Sequence, residues 1–414
     1  MKILHTSDWH LGSTIHGKRR YQEYEAFLSW LLVCVETEKI DVILISGDIF
    51  DTTNPGTRAI EQYFNFLGRI PRAQCRHIVV TAGNHDSPSL VNAPKELLRT
   101  LNIHAIGSIT EEIDDEILIL RDVHDVPFLV VCAVPYLRDR DIRLVEAGEE
   151  TEVKTQKLLL GIEDHYRRVC ERAAGIRDHV NPAIPIIAMG HLFAAGGSTV
   201  DGDGVRELYI GNLVRVDGGM IPASVDYCAL GHLHSPQKVN GCEKIRYCGA
   251  PVPMGFSESG DGKSVTSVEF DETGQVVIRE IPVPQFLALA SIRGDLDTIL
   301  SRLDALKCEN KPVWVEITLD DERLIPDVTE QVHKQVRDSP VEVLKITNLR
   351  VIAQALHQMD SADTLADLNL QDVFLRCLET ANIPSLQRQE LIDSYSEILR
   401  DLTEEDELAR GDLP

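Results

Sequence analysis

The chain has 414 residues, 43% of them hydrophobic and 26% charged, with 66 Asp or Glu against 41 Lys or Arg for a formal net charge of −25. No apolar run approaches the ~20 residues of a membrane span, and nine scattered cysteines with no CxxC pair read as reduced buried thiols rather than a disulfide framework. With no apolar signal region near the N-terminus, the expected location is the cytoplasm. The acidity argues against wrapping nucleic acid, but it is unevenly spread. Residues 357–414 hold 14 Asp or Glu against 4 Arg, whereas Lys18, Arg19 and Arg20, and then Arg138, Arg140 and Arg143, are local basic clusters.

In chain order, Ile3 to Ser7 reads as a buried strand running into Asp8-Trp9-His10. A carboxylate and an imidazole two positions apart share a direction at a strand end, because the strand period is two. Tyr24, Phe27, Leu28, Leu31, Leu32 and Val35 recur at helical spacing, and Asp41 to Ser46 is an apolar strand. A helix over Thr57 to Arg69 and a strand over His77 to Thr81 follow, then an extended stretch, a helix from about Thr155 to Ala173, and strands ending at Met189 and Leu230. Such alternation builds a sheet with helices on its faces, and ligands collect beyond the carboxyl ends of its strands.

Those ends carry the chemistry. Gly47-Asp48, Gly83-Asn84, Gly190-His191 and Gly231-His232-Leu233-His234 join Asp8 and His10, and in four of the five a glycine lets the backbone approach a ligand closely. A single Gly-His is a common turn; five strand ends each delivering Asp, Asn or His are not. Asp8, His10, Asp48, Asn84, His191, His232 and His234 offer oxygen and imidazole donors without a thiolate, which suits two divalent ions of the Mn, Fe or Zn kind. The centrally placed Asp48 is the natural bridge, and a two-ion site suits hydrolysis of a phosphate ester. Asp51 reads as a residue orienting a ligand imidazole or as a turn residue, and Trp9, Phe50 and Tyr136 as core.

The ordered series DWH, GDIFD, GNHD, GH and GHLH resembles the calcineurin-like metallophosphoesterase superfamily. MKILHTSDWHLG, AGNHDS, VPYLRDRDI, RELYIGNL, GHLHSPQ and RYCGAPVPMGFSE together resemble the SbcD family of bacterial nuclease subunits over at least residues 1–281. The resemblance implies one ion on Asp8, His10 and His234, another on Asn84, His191 and His232, Asp48 as bridge, and His85 as the catalytic histidine. It also implies manganese as the metal. The implied activity is double-strand exonuclease and single-strand or hairpin endonuclease action in DNA repair, recombination and replication. Implied partners are DNA, an SbcC-type ATPase and a second copy of the chain, forming a homodimer within a heterotetramer, at a cytoplasmic, nucleoid-associated location. No GxxxxGK[ST] occurs, so ATP dependence belongs to the partner.

The expected fold is α/β: a two-sheet metallophosphoesterase sandwich flanked by helices over 1–282, an α+β capping unit over 283–348, and an acidic helical tail over 349–414. Segments 243–247, 263–270 and 275–281 read as strands of the second sheet, with turns at Gly241 and at 271–274. In the tail, two leucine-rich amphipathic helices flank Pro384; they either cover the parent domain or dock on a partner, and the resemblance favours the SbcC-type ATPase. Lys18, Arg19 and Arg20 either contact DNA phosphates or form a solvated loop. A small-substrate phosphatase or phosphodiesterase is the alternative function, because the donors dictate phosphoester chemistry and not substrate size.

Overall fold

The computed structural model describes residues 1–70, 75–142, 151–193, 221–260, 262–271, 275–321 and 327–349, with positions 378, 391, 392 and 395. Apart from those four positions, which are helical, the two expected tail helices lie outside the described residues, as do Arg143 and positions 272–274 of the expected turn. Two compact units divide the chain, Met1–Ala290 and Ser291–Pro414. Among the described residues no helix is long and apolar enough to cross a membrane.

The first unit begins with β1 (Lys2–Thr6), the small hairpin β2 (Thr14–Ile15) and β3 (Lys18–Arg19), α1 (Tyr21–Glu38), β4 (Val42–Ser46), α2 (Thr57–Arg69) and β5 (His77–Thr81). Short helices α3 (Pro88–Asn92) and α4 (Lys95–Arg99) lead to β6 (Ile103–Ile106), β7 (Ile117–Arg121) and β8 (Pro127–Ala133). Next come α5 (Asp139–Ile142), α6 (Thr151–Val180), β9 (Ile186–His191) and β10 (Tyr227–Gly231). The unit ends with β11 (Gln237–Val239), β12 (Cys242–Tyr247), β13 (Ser264–Phe270) and β14 (Val276–Pro282).

Two six-stranded sheets result, ordered β14-β13-β1-β4-β5-β6 and β11-β12-β10-β9-β8-β7. Their facing sides enclose an apolar layer in which Ile3, Val42, Leu44 and Val79 meet Val131, Ile187, Met189 and Tyr227. Strand alternation gives each sheet a second apolar face. Ile43, Ile45 and Val80 pack with Phe27, Leu31 and Phe66 of α1 and α2, while Ile186, Ala188 and Cys228 pack with Tyr166, Val169 and Ala173 of α6. A helix–sheet–sheet–helix sandwich is the outcome. Parallel pairing of β1 with β4, β4 with β5, and β9 with β10 brings the carboxyl ends of these strands, from which the predicted donors emerge, to one edge of the sandwich.

Two sequence expectations need correction. Segments 264–270 and 276–282 are not in the second sheet: β13 pairs antiparallel with β1 and carries β14 at its outer edge, leaving only β12 of the three in the other sheet. β13 is buried on both faces, with Val265 under the helices and Val268 and Phe270 between the sheets, so its apolar run suits either sheet and only its pairing with β1 decides its place. The extended stretch after Asn92 contains β6, β7 and β8; β6 and β7 are edge strands, whose mixed exposure blurs the alternating pattern.

The second unit holds the sheet β15-β16-β17, made of β15 (Ala288–Gly294), β16 (Val313–Leu319) and β17 (Val341–Asn348). Two helices accompany it, α7 (Leu296–Glu309) and α8 (Val328–Val336). Asp295 caps α7, its side chain accepting the Thr298 N–H at 2.9 Å.

A polar contact crosses the layer between the large sheets. His5 of β1, fully buried, has its Nδ1 2.9 Å from the Tyr227 hydroxyl of β10. Burial pushes the His5 imidazole down to about 3, only partly opposed by a backbone contact at Leu230. The folded-state value lies below the unfolded one, so the stabilising contribution is complete above about pH 6.5 and is lost as the pH falls toward 3. Between pH 7 and pH 5 the native chain is expected to lose ~2 kcal/mol of stability that a His5→Gln variant keeps. Urea unfolding of both chains at the two pH values checks this, and equal losses contradict it. Leu44→Ala, which empties part of the inter-sheet layer, is expected to cost about 2–5 kcal/mol in the same assay.

Candidate metal centre

The loops that leave β1 and β4 are tied together by their backbones, and the loop after β5 is joined to them through the Asp48 and Asp86 side chains. The Asp8 N–H donates to Gly47 O at 3.0 Å, His10 to Asp48 O at 3.0 Å and Leu11 to Ile49 O at 2.9 Å. Between the two donors of the first loop, Trp9 turns the opposite way into the core, edge-on to Phe27 and Phe66, with its Nε1 donating to Thr6 Oγ1 at 2.9 Å. It thus anchors the loop from behind.

The turns are conformationally costly. Asp8, His10 and Asp48 sit at φ of 52, 47 and 49°, in the left-handed region that L residues rarely adopt. Glycine is required for a different reason at Gly83 and Gly231. A Cβ at Gly83 would fall on the Asp48 carboxylate, and one at Gly231 on the Ser46 carbonyl, so the three chains could not close to contact distance.

Within this frame the seven sequence-predicted donors converge. Asp8, His10 and His234 present ligand atoms within 4.8 Å of one another, as do Asp48, His191 and His232. Nε2 of His10 lies 3.2 Å from Nε2 of His234. The Asn84 Oδ1 lies 3.0 Å from His191 Nε2 and 3.1 Å from His232 Nδ1. Asp48 stands between the groups: Oδ1 accepts the His85 N–H at 2.8 Å, and Oδ2 is 3.2 Å from His191 Nε2 and 3.7 Å from His10 Nε2. Asp8 accepts the His232 N–H at 3.0 Å and a hydrogen bond from Ser7 Oγ.

Electron pairs, rather than matched donors and acceptors, meet here, and this fits cations. The Ser46 carbonyl, 3.0 Å from His191 Nδ1, accepts that N–H, so Nε2 is the nitrogen turned toward the Asn84 and Asp48 oxygens, and a cation there would take the place of the Nε2 proton. The electrostatics agree. Burial alone would lower His191, yet the Asp48 charge and hydrogen bond raise it to about 9. The same neighbours reverse the sign for Asp48: burial works to raise it, but His191, His10 and His85 hold its carboxyl well below the usual carboxylate range. His232 is pushed down to about 3 by burial and by the charge of His191. Burial lifts Asp8 to about 6 against the pull of His191. A buried site that draws a proton onto an imidazole so strongly is one in which positive charge is favoured.

His85 sits at the rim of this cluster, its ring edge-on to His10 with centroids 4.8 Å apart and its Nδ1 2.7 Å from the Asp51 carbonyl. Asp51 also brings Oδ1 to 3.6 Å from His10 Nδ1. Of the aromatic residues read as core, Trp9 and Phe50 are buried, while Tyr136 is half-buried and edge-on to His191 at 6.2 Å.

The basic stretch divides. Arg19 is exposed, with its guanidinium near the Tyr21 ring, and lines a cavity of about 370 Å³ together with Thr14, Asp51 and Asn54. Lys18 is half-buried. Arg20 contradicts the expectation of a phosphate contact: it is 2% exposed, its Nε donates to Glu23 Oε2 at 2.8 Å, and its guanidinium lies over the Tyr24 ring. An arginine spent on a buried carboxylate has no surface left for DNA.

One residue of the site carries no signal of its role in the sequence. Asp86 closes the GNHD motif, is fully buried, and accepts N–H groups from Ile49 at 3.1 Å, Phe50 at 2.9 Å and Gly83 at 2.8 Å. It staples the Asp48 loop to the Asn84 loop. Its position directly after His85 marks it as part of the motif, but nothing in the sequence says which backbone it meets.

Comparisons with known proteins place this geometry in a family. A family model described as calcineurin-like phosphoesterase matches residues 1–236, and one described as type 5 capsule protein repressor C-terminal domain matches residues 285–382. The chain is 35% identical over 409 residues to the SbcD component of the nuclease SbcCD of Escherichia coli K12, spanning 98% of this chain and 100% of that one. The corresponding SbcCD component from Bacillus subtilis 168 is 29% identical over 411 residues, at 98% and 100% coverage, and that of Rhodobacter capsulatus 32% identical over 366 residues, at 84% and 88%. With the donor series at its strand ends and these matches over nearly its whole length, the chain belongs to the SbcD family of calcineurin-like phosphoesterases.

Proposed function

We propose that the chain is the nuclease component of an SbcCD-type complex and hydrolyses DNA phosphodiester bonds at a centre of two divalent ions. The observation that carries the reading is the convergence of six oxygen and imidazole donors around Asp48, backed by family membership. Asp8, His10 and His234 hold one ion and Asn84, His191 and His232 the other, with Asp48 shared. Manganese is the proposed metal. When bound, the pair supplies positive charge that polarises a phosphoryl group and lowers the barrier to in-line attack by water.

The protein's own part is arrangement and proton handling. His85, with its Nδ1 set against the Asp51 carbonyl and its backbone N–H on Asp48, is held at the rim, where its ring donates to the phosphoryl oxygen or the leaving oxygen. Lys18 and Arg19 are the remaining candidates for backbone phosphates, Arg19 lining the cavity next to Asp51. We assign residues 1–282 to catalysis, 283–348 to capping and guiding DNA, and the acidic tail to the SbcC-type ATPase. A homodimer within a heterotetramer, acting at the nucleoid in the cytoplasm, completes the proposal.

Linear duplex DNA incubated with manganese is expected to be degraded, more strongly with an SbcC-type partner and ATP. Turnover of p-nitrophenyl phosphate without any DNA cleavage favours the small-substrate phosphatase instead. His85→Leu is expected to keep its metal and lose cleavage by roughly 10²-fold or more, whereas Asp48→Ala loses metal; metal analysis of both separates the roles, and equal depletion makes His85 a ligand. Asp86→Ala strands three buried N–H groups, so we expect a stability loss of at least ~3 kcal/mol together with reduced metal content, read by denaturation and elemental analysis.

A further inference from the structure

Behind the metal centre lies a pair of charges that the proposed reaction does not use. Glu258, 1% exposed, and Lys263, 6% exposed, form a buried ion pair. Lys263 Nζ also donates to the His234 carbonyl at 3.3 Å, and Glu258 Oε2 accepts the Met254 N–H at 3.1 Å. Burying such a pair is a poor source of stability, because stripping water from two charges offsets most of their attraction. Its placement indicates another task. The second oxygen, Oε1, lies 3.8 Å from Nδ1 of His234, the ring whose Nε2 faces His10 across the site.

His10 repeats the arrangement, with Nδ1 3.6 Å from Asp51 Oδ1 and Nε2 turned to the site. The other donor group is built differently. His191 Nδ1 faces a neutral carbonyl, that of Ser46, at 3.0 Å, and His232 offers its Nδ1 to the site itself, 3.1 Å from Asn84 Oδ1. Carboxylates therefore stand behind both imidazoles of one group, while a neutral carbonyl stands behind His191 of the other. Both separations exceed a hydrogen bond, so the carboxylates act here through their charge, which favours a proton on Nδ1, the tautomer that turns the Nε2 lone pair toward the ion, and makes that nitrogen a stronger donor. Anionic Asp8 against neutral Asn84 biases the two groups in the same direction.

We propose that Glu258, held by Lys263, is a positioning residue for His234 and, with Asp51 behind His10, makes the Asp8–His10–His234 position the tighter of two divalent-cation sites. The inference rests on the two-ion reading above. Lys263 contacts both the carboxylate and the backbone of the residue that the carboxylate supports, so one pair sets both where His234 lies and how its ring is turned.

Manganese titration of the full chain, followed by the paramagnetic resonance of free Mn²⁺ and by calorimetry, tests it. The native chain is expected to take up two ions with separable affinities. Glu258→Gln should weaken the tighter one by about 10–100-fold and leave the weaker one unchanged. Because that variant strands the Lys263 charge, the double variant Glu258→Gln/Lys263→Met removes both charges. Its metal-free unfolding midpoint should recover toward the native value while its manganese affinity stays as weak as that of the single variant. An unchanged isotherm for Glu258→Gln, or recovery of affinity in the double variant, overturns the proposal and leaves Glu258 only as the neutraliser of Lys263. A native chain that takes up no manganese overturns the two-ion reading instead.

Discussion

The burial of the Asp48 carboxylate is the constraint on which the site depends. At 2% exposure an aspartate has lost nearly all its water, and a bare charge in that position would neutralise itself by taking a proton. It stays ionised because an amide N–H from His85 satisfies one oxygen and imidazoles of His191 and His10 face the other. Those imidazoles come from opposite sheets, His10 after β1 and His191 from the end of β9. Charge balance at a single carboxylate thus dictates how closely the two sheets must approach at one edge of the sandwich.

That approach determines the local chemistry of the chain. The loops from β1 and β4 can lie side by side only with Asp8, His10 and Asp48 in left-handed conformations, each costing roughly 1–2 kcal/mol for an L residue. Backbone hydrogen bonds between the loops, the Trp9 anchor and the three N–H groups gathered by Asp86 offset that cost. Strain is tolerated because the surroundings over-determine the turn. The apolar layers beneath supply the rigidity, since strands packed on both faces have no room to shift their ends.

Much of this is legible in the sequence, for identifiable reasons. Strands buried on both faces, such as Val42–Ser46 and His77–Thr81, announce themselves as apolar runs that stop at a glycine, and the polar residue after each glycine marks the site. What stays hidden depends on partners distant in the chain. β13 looks like any buried strand, and nothing local says that it joins β1 rather than β12. Arg20 reads as the third member of a basic run until Glu23 and Tyr24 are seen to enclose it. Glu258 is one acidic residue among 66 Asp and Glu, and only the fold sets it behind His234. Side chains that touch the proposed ions advertise themselves by type and spacing, whereas those that brace them do so only through the fold.

The wide separation of the donors along the chain has a consequence for how the protein comes into being. Asp8 and His10 leave the ribosome early, yet their group is completed only by His234, and Asn84 waits for His191 and His232. Under the proposed assignment, a nascent or truncated chain that stops short of residue 232 lacks a full set of donors for either ion. A nuclease so built would thereby remain inert throughout much of its own synthesis.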